Sequence, residues 1–400
     1  MADGGKVTLA FEDEGTWGTT DAAALVKVAY ATSENFGMDT STVLANTIRG
    51  DYIRPQVIRT DAVGTGGFNF ELAYGDTDVF MSHALRAAWG AAVTTTAIAI
   101  AAVNADNTYT NAAANFVSLG FAVGDSVLVS GFTNAANNGY AVITALTTTV
   151  MTVNGLDLVD EGAGGDEIIK HSGVLKNGST LKSMTIERHF SDLTNTYISQ
   201  KGYRVSGYNL SAAAGSIITG SVAGTSKAPT AVAAATAGSG AYSNSPGDGN
   251  EIMNGVDHVS GIFVANDDTL VQTAVSYCVS QIDLNIGSPV RPISCLGTLG
   301  PAAIGGSSFE ITGSMRVYTD DSSKGLWDDY INYQEKALWF RFVDTAGNAY
   351  LFYLPQINIT GMSGPNSEGP DSDVMQTIEF TAELDATSSA LMTITRIAAA

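Results

Sequence analysis

Positive charge is what this sequence has least of. Of 400 residues only 19 are Lys or Arg, against 40 Asp and Glu, and the formal net charge is −21. Gripping phosphates requires clustered cations, so a nucleic-acid-binding surface is excluded, whereas a surface that repels polyanions fits. Cysteine is almost absent. Cys278 and Cys295 are too few for a secreted disulfide scaffold. Both sit in alternating, strand-like sequence, where they either face each other across a hairpin or stand as two reduced core thiols, the expectation for a protein matured in cytosol. The opening "MADGGKVTLAFEDEG" is acidic and lacks the apolar region of a signal peptide. The longest run of low polarity, "AAVTTTAIAIAAV" at 91–103, falls short of the ~18 residues of a membrane span. A soluble chain with no membrane association is expected.

Catalytic signatures are missing as well. The "GTGG" at 64–67 has a strand after it where a phosphate cradle needs a helix, and reads as a hairpin turn. His83, His171, His189 and His258 are scattered, with no pair at metal-ligand spacing. No nucleophile elbow occurs, and no Cys lies near a His in sequence. The acid pairs Asp267-Asp268, Asp320-Asp321 and Asp328-Asp329 lack the alternating ligands and central glycine of a calcium loop, and suit helix caps or solvated faces. Trp17, Trp89, Trp327 and Trp339 fall at apolar-patterned positions that suit a core. No catalytic residue, no cofactor site and no metal site is expected; the chain reads as no enzyme.

What is present is material for many short strands. The sequence is 45% hydrophobic, leaning on Ala and Val, with 43 Gly and abundant Ser and Thr. Length alone suggests roughly two or three domains. Residues 1–35 alternate as an extended arm or first strand, and 36–56 read as a long loop. A strand then opens at Val57–Ile58, and "GGFNFELAYGDTDVFMSHAL" (66–85) places Phe68, Phe70 and Leu72 on one strand face before a helix from about Asp76 to Trp89. At Gly90 the texture changes. Residues 92–174 are Ala, Thr, Asn and Val in short bursts separated by "VGD", "NNG" and "VNG" turns, with one basic residue, Lys170, against seven acidic. They read as a small all-β barrel inserted into the first domain. After a Gly/Ala/Ser/Pro linker a second β-rich region follows, with one short helix at 324–336.

The second region repeats the first. "RPQVIRTDAVGTGGFNFEL" (54–72) matches "RPISCLGTLGPAAIGGSSFEI" (291–311), aligning Phe70-Glu71-Leu72 with Phe309-Glu310-Ile311. A helix follows in each, then "MTIERHF" (184–190) against "LWFRFVD" (338–344), and "YRVSGYNL" (203–210) against "PQINITGM" (355–362). The order strand, strand, helix, strand, strand, strand is kept. The expected organisation is a discontinuous first domain (1–91 and 175–225), the inserted β domain (92–174), a linker with extended loops (226–272) and a second domain (273–400).

The run "ANTIRGDYIRPQVIRTDAVGTGGFNFELAYGDTDVFMSHALRAAW" resembles the core of the tail tube, or major tail, proteins of long-tailed bacteriophages. "KSMTIERHFSD" and "YRVSGYNLSAAAGSIITGSVAG" are similar to that family's next strands, and "GFAVGDSVLVSGFTNAANNGYAVITAL" to a β domain inserted in some members. The resemblance implies a mainly β fold: a duplicated sandwich- or barrel-type domain, each copy with one flanking helix, plus the insert. It implies a structural subunit of the virion tail, assembled in the host cytoplasm. Such subunits form rings stacked into a tube whose electronegative lumen conducts genomic DNA without binding it specifically. Two copies per chain imply three chains per pseudo-sixfold ring, six chains being the alternative. Tape measure, tail terminator and distal tail proteins are the implied partners, and Arg49 and Arg54 the candidate inter-subunit contacts. Another β-rich virion or surface protein, a capsid-decoration or adhesion protein binding glycan or receptor through 92–174, is the alternative reading.

Overall fold

Alternation of small polar and large apolar side chains builds about half of this chain into antiparallel strands. The computed structural model describes residues 3–95, 98–112, 115–265, 275–367 and 369–399; the acid pair Asp267-Asp268 lies outside them. Seventeen strands form one continuous sheet system, and seven more form a second sheet. No described helix is long and apolar enough to cross a membrane.

The main sheet contains a ribbon of eight strands, each hydrogen-bonded to the next. Its order is Gly37–Leu44, Val57–Glu71, Thr219–Lys227, Tyr197–Ala213, Val279–Gly287, Glu310–Tyr318, Met375–Ala382, Ala349–Asn366. The first four strands come from the first half and the last four from the second, each set connected in the same order. The same fold is laid twice. Each copy has one flanking helix after its second ribbon strand, Asp78–Ala84 and Leu326–Ile331.

The last strand of each set runs on beyond the ribbon. The first part of Tyr197–Ala213 pairs with Met184–Phe190, and the first part of Ala349–Asn366 pairs with Lys336–Val343. Val7–Asp13 and Val259–Ala265 complete the two outer layers in equivalent places. One apolar core lies between ribbon and outer layers, including Phe68, Phe70, Phe80, Tyr208, Leu284, Met315, Phe340 and Phe380. Burial of such side chains, at roughly 1.5–3 kcal/mol each, is the main stabilising term.

The second sheet, with strands from Val93–Thr94 to Ile168–His171, has its own core around Tyr109, Phe116, Val127, Ile143 and Ile169. It is also fastened to the second half. Val142 belongs to an apolar cluster with Trp339, Leu351, Tyr353 and Ile397, with Leu128 and Tyr140 packed against it. The Arg341 guanidinium lies 5.2 Å from the Tyr140 ring centre.

Several expectations need correction. The glycines at 64–67 are not a turn but lie inside Val57–Glu71. A Cβ at Gly67 would fall 1.8 Å from the Val222 carbonyl oxygen, and Gly66 has a φ of +122°; close strand approach, not reversal, selects glycine here. Eight residues of the expected loop 36–56 form the strand Gly37–Leu44, whose exposure on both faces hides it from any apolar pattern. The expected linker contains Val259–Ala265. Cys278 and Cys295 are exposed free thiols rather than core residues. Trp339 is buried, but Trp327 is 41% exposed. The helices are shorter than expected. The repeat register also shifts: Arg291-Pro292 lies within a strand whereas Arg54-Pro55 lies in a loop, and Phe309 precedes its strand whereas Phe70 is near the end of its own.

Candidate functional site: the polar face and open edges of the ribbon

Because side chains alternate along each strand, the ribbon face turned away from the core is fixed by register. Asn69, Ser221, Asn209, Asn285, Thr312 and Thr381 stand side by side across six strands. Their amides join neighbours: Asn69 donates to Ser33 at 2.9 Å, Asn209 to Ser221 at 3.2 Å, and Asn285 to Thr312 at 3.2 Å. The next rung is Glu71, Thr219, Ser211, Asp283, Ser314 and Glu379. There the Asp283 carboxylate accepts from Ser211 at 2.5 Å, Gln281 at 2.8 Å and Ser314 at 3.3 Å. Three carboxylates thus occupy one rung with no cation among them. Arg316 lies on the following rung, between Gln281 and Thr377.

An open hollow of about 840 Å³ lies over these rungs, walled by Ser, Thr and Asn with Asp283 and Glu379. It has no enclosing apolar pocket of the sort that holds a small ligand. Among the described residues no group of three or more His, Cys, Asp or Glu is placed to hold a metal ion. Three histidines are instead buried beside single acids: His83 at 2.9 Å from Asp13, His258 at 3.5 Å from Glu251, and His171 at 4.0 Å from Asp125. Burial holds the His171 pKa below its ordinary value, against the pull of Asp125.

Both lateral edges of the ribbon are open. Among the described residues, Ala31–Glu34 and Gly37–Leu44 pair only with Val57–Glu71, and the C-terminal part of Ala349–Asn366 pairs with Met375–Ala382. Long unpaired edges invite pairing with another chain.

Two hairpin arms extend from the ribbon. The first carries Ile48, Tyr52 and Ile53 exposed around its tip; the second, Val290–Ser294 with Pro301–Gly306, exposes Leu296 and Leu299. Arg49 and Arg54 both lie on the first arm. Arg49 forms a forked pair with Asp51 at 2.8 Å, which holds that carboxyl below its usual range, while Arg54 is exposed and makes no ion pair among the described residues.

The interface between the two halves depends on residues that the sequence did not single out. Arg86 is 8% exposed and donates to Ser288 Oγ at 2.8 Å, the Ser307 carbonyl at 2.9 Å and the Pro289 carbonyl at 3.1 Å. Asp78 is buried, accepts from the Tyr350 hydroxyl and pairs with Arg396 at 2.5 Å. Burial pushes its carboxyl upward, against both partners. No spacing in the sequence marks these residues; only the folded interface does.

A twofold-repeated β ribbon with a polar acidic face, open edges and exposed apolar arms defines a structural, assembling protein. The phage tail tube protein family matches residues 4–382. The chain belongs to that family, and is a structural component of a virion tail. No curated protein matches it.

Proposed function

We propose that three copies of this chain close into a ring, and that rings stack into a tube through which genomic DNA passes during ejection. The observation that carries this reading is the junction between the two halves. There the end strand of one copy of the fold pairs with the first strand of the other, from Gly207 opposite Gly287 to Ala213 opposite Gln281. The same two kinds of edge lie open at the ribbon's ends. Repeating the junction between chains would close the sheet into a barrel and leave no edge exposed.

In that barrel the Ser/Thr/Asn rungs and the carboxylates Glu71, Asp283 and Glu379 face the bore. Repulsion of DNA phosphates is screened beyond about 8–10 Å at physiological salt, so it acts in a narrow channel. The domains are 1–91 with 175–225, 92–174 outside the wall, the connecting 226–272, and 273–400. The hairpin arms, with Arg49, Arg54 and their apolar tips, contact neighbouring subunits. Tape measure, terminator and distal tail proteins meet the inside and ends of the tube. Electron microscopy of concentrated purified protein, with and without tail initiation proteins, tests the reading: hollow tubes are expected, and persistent monomers under both conditions would overturn it.

A further inference from the structure

The two flanking helices end in the same cap. In the first, Arg86 and Ala87 donate backbone N–H bonds to the carbonyls of His83 and Ser82; in the second, Tyr333 and Gln334 donate to those of Tyr330 and Asp329. Both caps are Schellman motifs, and in both the left-handed position is filled by a bulky residue in place of the usual glycine: Arg86 with φ +53° and Tyr333 with φ +52°. These are therefore equivalent residues of the repeat. A large side chain at such a φ is strained, and persists where the surroundings hold it.

In the first copy the holding groups are plain. Arg86 reaches into the second copy at the kink Ser288–Pro289, between Val279–Gly287 and Val290–Ser294, and at Ser307. The second copy differs sharply. Tyr333 is 64% exposed, and Leu326–Ile331 buries Leu326 alone, whereas Asp78–Ala84 is buried at every position but Val79.

We infer that Tyr333 is the ring-closing counterpart of Arg86, seating its ring on the Asn35–Phe36 kink of a second copy of this chain. Asn35 and Phe36 separate Ala31–Glu34 from Gly37–Leu44 as Ser288 and Pro289 separate their own strands. Gly66, with φ +122° and the Asn35–Phe36 backbone where a Cβ would stand, occupies the place of the break at Ser307. A tyrosine hydroxyl supplies one donor where Arg86 supplies three, and its ring adds apolar contact, a combination common at protein interfaces. This inference rests on the ring reading given above.

Disulfide trapping in the full chain tests it. In a Cys278→Ser, Cys295→Ser background, Tyr333→Cys and Asn35→Cys are introduced together and singly, and assembled tubes are oxidised. Covalent multimers above those of either single variant are expected. Tubes that form normally but give no excess cross-link overturn the inference and leave the ring reading standing. Failure of the unmodified chain to form tubes overturns both. As a second readout, Tyr333→Glu is expected to raise the concentration needed for assembly about tenfold or more, with monomer unfolding unchanged, while Tyr333→Arg assembles. Equal assembly by Tyr333→Glu and the unmodified chain also overturns it.

Discussion

Asn209 and Asn285 stand directly opposite each other across the one strand pair that joins the two halves of the ribbon. Asn209 is bonded back to Ser221 in its own copy, and Asn285 on to Thr312 in the other. The polar rung crosses from one copy to the next with no change of residue type. In the proposed ring, a wall made this way would have no chemical seam at the junction.

The junction is stabilised behind the ribbon by Arg86. Arg86→Ala removes three hydrogen bonds from a charged donor and leaves the Ser307 and Pro289 carbonyls without it. A loss of about 2–3 kcal/mol is expected in denaturant unfolding of the monomer. Arg86→Lys should recover only part of that loss, since an ammonium cannot span all three acceptors. An unchanged midpoint for the alanine variant would mean that the halves are held by ribbon pairing alone.

Much of this architecture was readable from alternation. Phe68 and Phe70 against Asn69 and Glu71 mark a half-buried strand, and the preserved order of elements marks the duplication. What stayed hidden has identifiable causes. Gly37–Leu44 is exposed on both faces, so it carries no apolar rhythm. The glycines at 64–67 look like a turn because sequence does not distinguish reversal from close approach of Val222. Arg-Pro and Phe-Glu matches suggested a repeat register that the strand ladders replace, since those dipeptides recur locally while pairing is set across the whole sheet. Arg86 and Tyr333 lack the glycine that usually announces their cap.

The insert should be mechanically coupled to the second half. Val142 is fully buried against Trp339 and Leu351. Val142→Asp places a carboxylate there with no partner, and a cost of about 3 kcal/mol or more is expected. Calorimetry should then separate one unfolding transition into two, with residues 92–174 released first to protease. A single transition at the original temperature would show that the shared cluster contributes little.

Acid should weaken the seam where the insert rejoins the first half. His171 is buried beside Phe121, 4.0 Å from Asp125, and its pKa is held down by burial. The unfolded chain therefore binds a proton more readily, and this residue's contribution is present above about pH 6.5, the ordinary histidine value, and lost as pH falls below it. His171→Asn is expected to flatten the fall in stability between pH 7 and pH 5. An identical pH profile in both proteins would assign that fall to other groups.

The rotational order of one ring, read by electron cryomicroscopy of assembled tubes, bears most directly on the duplicated wall. Threefold symmetry is expected, with each chain supplying both four-strand sets to the bore and with Ala349–Asn366 of one chain beside Ala31–Glu34 of the next. Six chains per ring, each placing only one set at the lumen, would contradict it.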